Sequence, residues 1–515
     1  MTPPHGKLKL PWLALGAVVL VLVLVLVVVA LLLVARDEGD VSNPDVTFLD
    51  TTERTPQTGT GSGRSRHPAD DGFAWPLYGF RTSRTHHLPL RVTPRPPYRQ
   101  AWAVRGRVLL EFAPVLCRRK LYLLKNNGAL YAISRLSGRV SWKRRLGALA
   151  ASSPACSRRT VYVVLLEDRR GSATGRVVAV SSKTGHVRWS RRLPSRAEGS
   201  PLLDSGRLFI GTEDGTVYSL RASNGRTRWR AKAAGAVKGA IALDAGKLYF
   251  GDYGGKVNAI RRKDGKRVWR ASASSCGLGI CDSNLYFGAA VQYGRVYIGS
   301  TNCNVYSFSS ASGKLAWRKH TGDYVYASPA VGRVEGGQPT VYIGSYDGRF
   351  YALDARTGRV RWKRSMGKKF SGGASIIGDL VWVSDLDKRT TWALNARSGA
   401  TVYKTRRGAF HPVISDGRRV YLSGYSSLFA LDPRAHPFDP RASSIRAQRA
   451  RARKSAERRA ARRHRRYLRR VEARHRHFRH VMHRRHQRFL RAKHRRHERY
   501  LRELRRRHQR ARARR

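Results

Sequence analysis

Acidic residues are scarce in this chain. Its 515 residues include 33 Asp and Glu against 102 Lys and Arg, a formal net charge of +69. So few carboxylates leave little material for a hard-cation site, which needs several converging oxygens. Cysteine is sparse too, at five, and no two are adjacent. Zinc spacing is missing, because no His or Cys completes a set around Cys117, Cys156, Cys276, Cys281 or Cys303. There is no G-x-S-x-G elbow, no phosphate loop and no H-E-x-x-H helix, so no catalytic residue is assigned.

What the chain has is a repeat. A small residue is followed six positions later by Gly, and four positions after that by an aromatic residue. The copies are Ala132–Gly138–Trp142, Ala179–Gly185–Trp189, Ser219–Gly225–Trp229, Ala259–Gly265–Trp269, Ser307–Gly313–Trp317, Ala352–Gly358–Trp362 and Ala393–Gly399–Tyr403. Between them lie alternating apolar and polar runs separated by polar turns, such as Thr340 to Ser345 and Arg349 to Asp354. That pattern predicts short antiparallel strands, and four strands every 40 to 48 residues is the unit of a β-propeller blade. The Gly supplies a positive φ in a tight turn, and the Trp fills the wedge between neighbouring blades.

The ends of the array set the blade count. Trp102 lies 40 residues before Trp142 but has no Gly or small residue at the right offset. Ser427 to Asp432 resembles the strand before the Gly turn, yet Pro440 stands where the Trp belongs. An outer strand without a blade and a blade without an outer strand complete each other, which predicts a closed all-β ring of eight blades over residues 73–433.

The phrase Asp354-Ala-Arg-Thr-Gly358-Arg-Val-Arg-Trp362 resembles the pyrroloquinoline-quinone (PQQ) repeat, and the lead-in Trp75 to Thr82 looks like the segment that opens such propellers. The resemblance implies one of two functional classes: quinoprotein dehydrogenases, or non-enzymatic BamB-type scaffolds of the cell envelope. The first class implies PQQ, calcium held by Glu, Asn and Asp, an adjacent Cys-Cys pair, a catalytic Asp and long insertions roofing the site. The chain departs from this pattern: it has no adjacent cysteines, its propeller acids are sparse and sit mostly in turns, and its repeats are short and evenly spaced. Asp385 and Asp387 are the nearest approach to a carboxylate pair, and their setting is a turn. The expectation is therefore a scaffold with no cofactor, with dehydrogenase or ligand sensor as alternatives. The lipidated N-terminal Cys of BamB-type lipoproteins has no counterpart, since the first cysteine is Cys117.

Outside the repeat, residues 10–35 form an uncharged Val/Leu-rich run long enough to span a bilayer. Lys7 and Lys9 in the preceding segment 1–9, with Asp37, Glu38 and Asp40 beyond the run, place the N-terminus inside and the ring outside the membrane. Residues 36–72, rich in Thr, Ser, Gly and Pro, read as a flexible linker. Outside the cytoplasm, pairs within two groups can form disulfides, Cys117 with Cys156 and two of Cys276, Cys281 and Cys303; the odd count leaves at least one thiol over, and buried free thiols are the alternative. The stretch 434–515 is an Arg/His-rich tail whose last 75 residues hold 33 Lys and Arg against four Glu. Its thin apolar line through Leu468, Val471, Phe478, Met482 and Phe489 suits a helix, while its charge density favours disorder until a polyanion binds. Outside the cell that partner is anionic lipid or a cell-wall polymer; nucleic acid enters only for a cytoplasmic tail. Envelope proteins are the partners expected for the ring faces.

Overall fold

The computed structural model describes residues 40–50, 74–273, 283–367, 369–410, 413–434 and 498. The expected membrane span, most of the linker, Cys276, Cys281 and nearly all of the tail lie outside the described residues. The chain divides into two units, 1–434 and 435–515, and the first holds the propeller.

Among the described residues eight separate sheets, each built on a four-stranded antiparallel meander, make eight blades, and His87–Leu88 adds a parallel strand to the seventh. Blade one comprises Val115–Cys117, Lys120–Leu124, Ala129–Ser134 and Val140–Arg145. Blades two to seven span 155–193, 202–232, 242–272, 290–320, 330–365 and 375–405. Blade eight comprises Ile414–Ser415, Val420–Ser423 and Leu428–Pro433, and its outer strand is Tyr98–Val104 from the start of the ring. Closure occurs as the incomplete ends predicted. Ala430 stands opposite Trp102, just as Ala132 stands opposite Trp142 and Ala352 opposite Trp362. Register slips directly after the small residue in each of these pairs, a bulge that increases local twist.

The Gly does more than turn the chain. A Cβ on Gly138 would lie 2.7 Å from the ring of Trp102, and one on Gly358 would lie 2.8 Å from that of Trp317. Each Trp therefore rests on the Gly of the following blade. Its indole N–H donates to the backbone carbonyl three residues before that Gly: Trp102 to Arg135, Trp189 to Ala222, Trp317 to Ala355, Trp362 to Ala396, at 2.9–3.1 Å. An aromatic residue on the second strand packs against the Trp within the blade, as in Tyr122–Trp142, Phe209–Trp229 and Tyr421–Trp102, with centroids 5.8–6.0 Å apart. Between blades seven and eight there is no such Gly, and Tyr98 fills the gap edge-on to Tyr403 at 4.9 Å.

Two non-repeating segments finish the ring. Residues 75–88 run along its inner wall. Carbonyls of Pro76, Thr82, Ser83, Thr85 and His86 accept from first-strand N–H groups of blades two, four, five, six and seven. Blade three is served by Arg84, fully buried, whose guanidinium donates to the carbonyls of Ser200 and Pro201. No carboxylate is among its partners, and burial pulls its pKa down to about 9. The second segment falls within the stretch read as a linker. Residues 40–50 pack on blade five, with Val41–Ser42 as a fifth strand against Arg318 and Trp317. Its Asp, Val and Phe side chains find basic and aromatic partners on blades five and six, which composition alone does not disclose.

Candidate functional site

In a four-stranded meander, the turns between strands two and three share a face with the connections between blades. The Gly turns occupy the opposite face. The connection face carries the chain's main gathering of titratable and aromatic side chains near the axis. Glu198, on the loop entering blade three, accepts from the Tyr286 hydroxyl and pairs with Lys238 at 3.2 Å. Lys238 also meets Glu213, at 3.0 Å. Its ammonium lies 5.1 Å from the centroid of Tyr253 and 5.9 Å from that of Tyr286. Burial alone lowers the Lys238 pKa, but Glu198 and Glu213 outweigh it and the net shift is upward. Lys238 is thus held charged between two carboxylates.

Glu111, on the loop entering blade one, exchanges two hydrogen bonds with Asn126, one of them at 2.6 Å from the amide to the carboxylate. Burial, with a smaller push from Glu198, raises its pKa to about 7. Beyond these residues an aromatic train crosses the loops of blades four to six. Tyr253 meets Tyr286 at 5.9 Å, Tyr286 meets Tyr326 at 5.6 Å, and Tyr326 meets Tyr346 at 4.9 Å. Tyr324, half exposed, stands edge-on to Tyr326, and Lys369 covers Tyr346.

None of these groups was singled out from the sequence, because they lie in loops and share no period. The repeat residues Gly138 to Tyr403 occupy blade interfaces, as expected of core. Cys117 and Cys156 form a disulfide joining the first strands of blades one and two. Cys303 sits in a left-handed turn of blade five, φ 65°. Asp385 is a turn residue, as read, but a buried one, and its carboxylate accepts from the Lys388 N–H.

A quinone–calcium centre fits this donor set poorly. Glu198 and Glu213 are committed to Lys238 and Glu111 to Asn126, and among the described residues no three His, Cys, Asp or Glu converge as a metal site.

Among solved structures, BamB from Moraxella catarrhalis is similar at 17% identity and TM-score 0.53, covering 65% of this chain and 99% of that one. Quinohemoprotein alcohol dehydrogenase from Comamonas testosteroni is similar at 14% identity and TM-score 0.58, covering 72% and 82%. The computationally designed Ika8 protein is similar at 12% identity and TM-score 0.55, covering 65% and 99%. An enzyme, an assembly factor and a designed ring therefore share this fold, and the fold alone does not choose a function. No curated protein sequence matches the chain. The family model for the outer membrane protein assembly factor BamB matches residues 126–320 and 301–467, and the chain belongs to that family.

Proposed function

We propose that the chain is a non-enzymatic binding scaffold of the cell envelope, anchored in the membrane by residues 10–35, with the ring outside and its connection face presented to envelope proteins. The observation that carries this reading is the aromatic train from Tyr253 to Tyr346, flanked by Lys238 and Lys369. Tyrosine-rich surfaces on a rigid frame supply contact area at small entropic cost and are enriched at protein interfaces. Side chains held by tilted and edge-on ring contacts and a Glu–Lys–Glu bridge need little ordering on association.

The Cys117–Cys156 disulfide supports a location outside the reducing cytoplasm. Membership of the BamB family supports a protein partner. The basic tail adds a second contact, to anionic lipid or a cell-wall polymer; removing residues 441–515 weakens salt-sensitive association with anionic vesicles if this holds, and leaves it unchanged if the tail is idle.

The competing reading is a PQQ-dependent dehydrogenase. Titration of the purified chain with the quinone and calcium separates the two. The scaffold reading expects no stoichiometric complex and no dye-linked alcohol oxidation; tight one-to-one binding with turnover refutes it.

A further inference from the structure

Residues 40–50 are bound to blade five, with added contacts to blade six, too extensively to be a tether. Beyond the strand pair, the Asn43 N–H donates to the Ala316 carbonyl at 2.7 Å and the Asn43 amide to that of Leu315 at 2.9 Å. Arg295, fully buried, donates to the carbonyls of Val46 and Thr47. Val46 is buried in one cluster with Trp317, Tyr293 and Tyr297. Phe48 stacks on Tyr293 at 5.3 Å, and the guanidinium of Arg356 lies over its ring at 4.9 Å. Asp40 pairs with Lys319 and Asp50 with Arg333, one at each end of the segment. Trp317 reports the result. It is 0% exposed, against 8% for Trp102 and 9% for Trp269 at the same position, while Trp142, Trp189, Trp229 and Trp362 are more exposed still.

This changes the leash length. A linker of residues 36–72 reaches roughly 130 Å when extended. With residue 40 fixed to blade five, only residues 36–39 separate the ring from the end of the apolar run at residue 35, a reach of about 18 Å. From that observation we infer that residues 40–50 are a mounting strap holding the ring edge-on, with blade five against an anionic bilayer surface. The inference rests on the membrane-anchor reading of residues 10–35. The flanking outer strands suit such a surface: Lys266, Arg267 and Arg270 on blade four and Arg359, Lys363 and Arg364 on blade six are all exposed. Basic residues also ring the other blades, so charge alone does not orient the ring; the strap selects the edge, and the flanking charges hold it there.

Blade one lies opposite blade five, and Ser137 and Ser312 occupy the same exposed Gly-turn position in the two blades. A fluorophore on an unnatural residue at either site, in the full chain reconstituted into anionic vesicles with acceptor-labelled headgroups, measures each edge's height. The strap predicts energy transfer severalfold stronger at Ser312 than at Ser137, and weaker at Ser312 when the lipid is neutral. A long Gly–Ser insert after Asp37 leaves residues 40–50 unaltered and is expected to abolish the difference, as is strap release by Val46→Asp with Phe48→Ser. Equal transfer at both sites in the unaltered chain overturns the strap while leaving the anchor intact. A chain that fails to float with the vesicles overturns the anchor reading, and the strap with it. A difference that survives the insert also contradicts the short leash.

Discussion

At the scale of single residues, the repeat carries contacts of opposite tolerance. Gly358 has a left-handed φ of 77°, and its missing Cβ is the floor under Trp317. Gly358→Ala therefore combines backbone strain with displacement of a buried ring, and is expected to lower unfolding free energy by about 2–4 kcal/mol in denaturant titration. Ser219 and Ser307 hold the small position that is Ala in the other copies, and both hydroxyls are fully buried with no hydrogen-bond partner among the described residues. Ser219→Ala is expected to be neutral or stabilising by about 1 kcal/mol in the same assay, because it removes an unsatisfied polar group without creating a cavity.

Glu111 adds a pH term. Its folded pKa, about 7, lies above the unfolded value, so the folded chain holds the proton more tightly. Stability from this group is present below the unfolded pKa and is lost as pH rises toward 7. Glu111→Gln is expected to flatten that part of the stability–pH curve between about pH 4.5 and 7 and to stabilise the chain at pH 8 by on the order of 1–3 kcal/mol.

At the scale of elements, the interlock is directional: each Trp reads the next blade, so the ring is a relay that one strand must complete. Tyr98–Val104 does so. Trp102→Ala removes both the hydrogen bond to Arg135 and the packing on Gly138. It is expected to cost about 3–5 kcal/mol. It also has a local signature: hydrogen exchange rises in 98–104 and 428–433 together, while blades three and four keep their protection. Uniform loss of protection across all blades would refute closure at this seam.

This level also shows why the sequence was readable where it was. Gly138 to Tyr403 recur because seven of the eight blade interfaces use one solution, a Trp resting on the next blade's Gly. Trp102 was assignable because the ring left one place for it. The axial segment 75–88, the strap 40–50 and the loops bearing Glu198, Lys238 and Tyr286 each occur once. Their partners lie far away in sequence, 280 residues for Asp40 and His320. No period announces such contacts, and a Thr-, Ser- and Asp-rich composition looks the same whether a segment is free or strapped.

At the scale of the molecule, the ring has an edge, a seam and two unlike faces. The Cys117–Cys156 bridge joins blade one, next to the seam, to blade two, across a separation of 39 residues. Reduction is expected to destabilise the chain by about 3–4 kcal/mol, read as a lower melting temperature under reductant. The connection face is where the account places recognition, so the most direct test is a photoreactive residue at Tyr324 in living cells. The account predicts a light-dependent adduct of defined mass from Tyr324, none from Ser137 on the opposite face, and loss of the adduct when Tyr326 and Tyr346 are replaced by Ala. Adducts that are absent at Tyr324, or equal at the two positions, would contradict it.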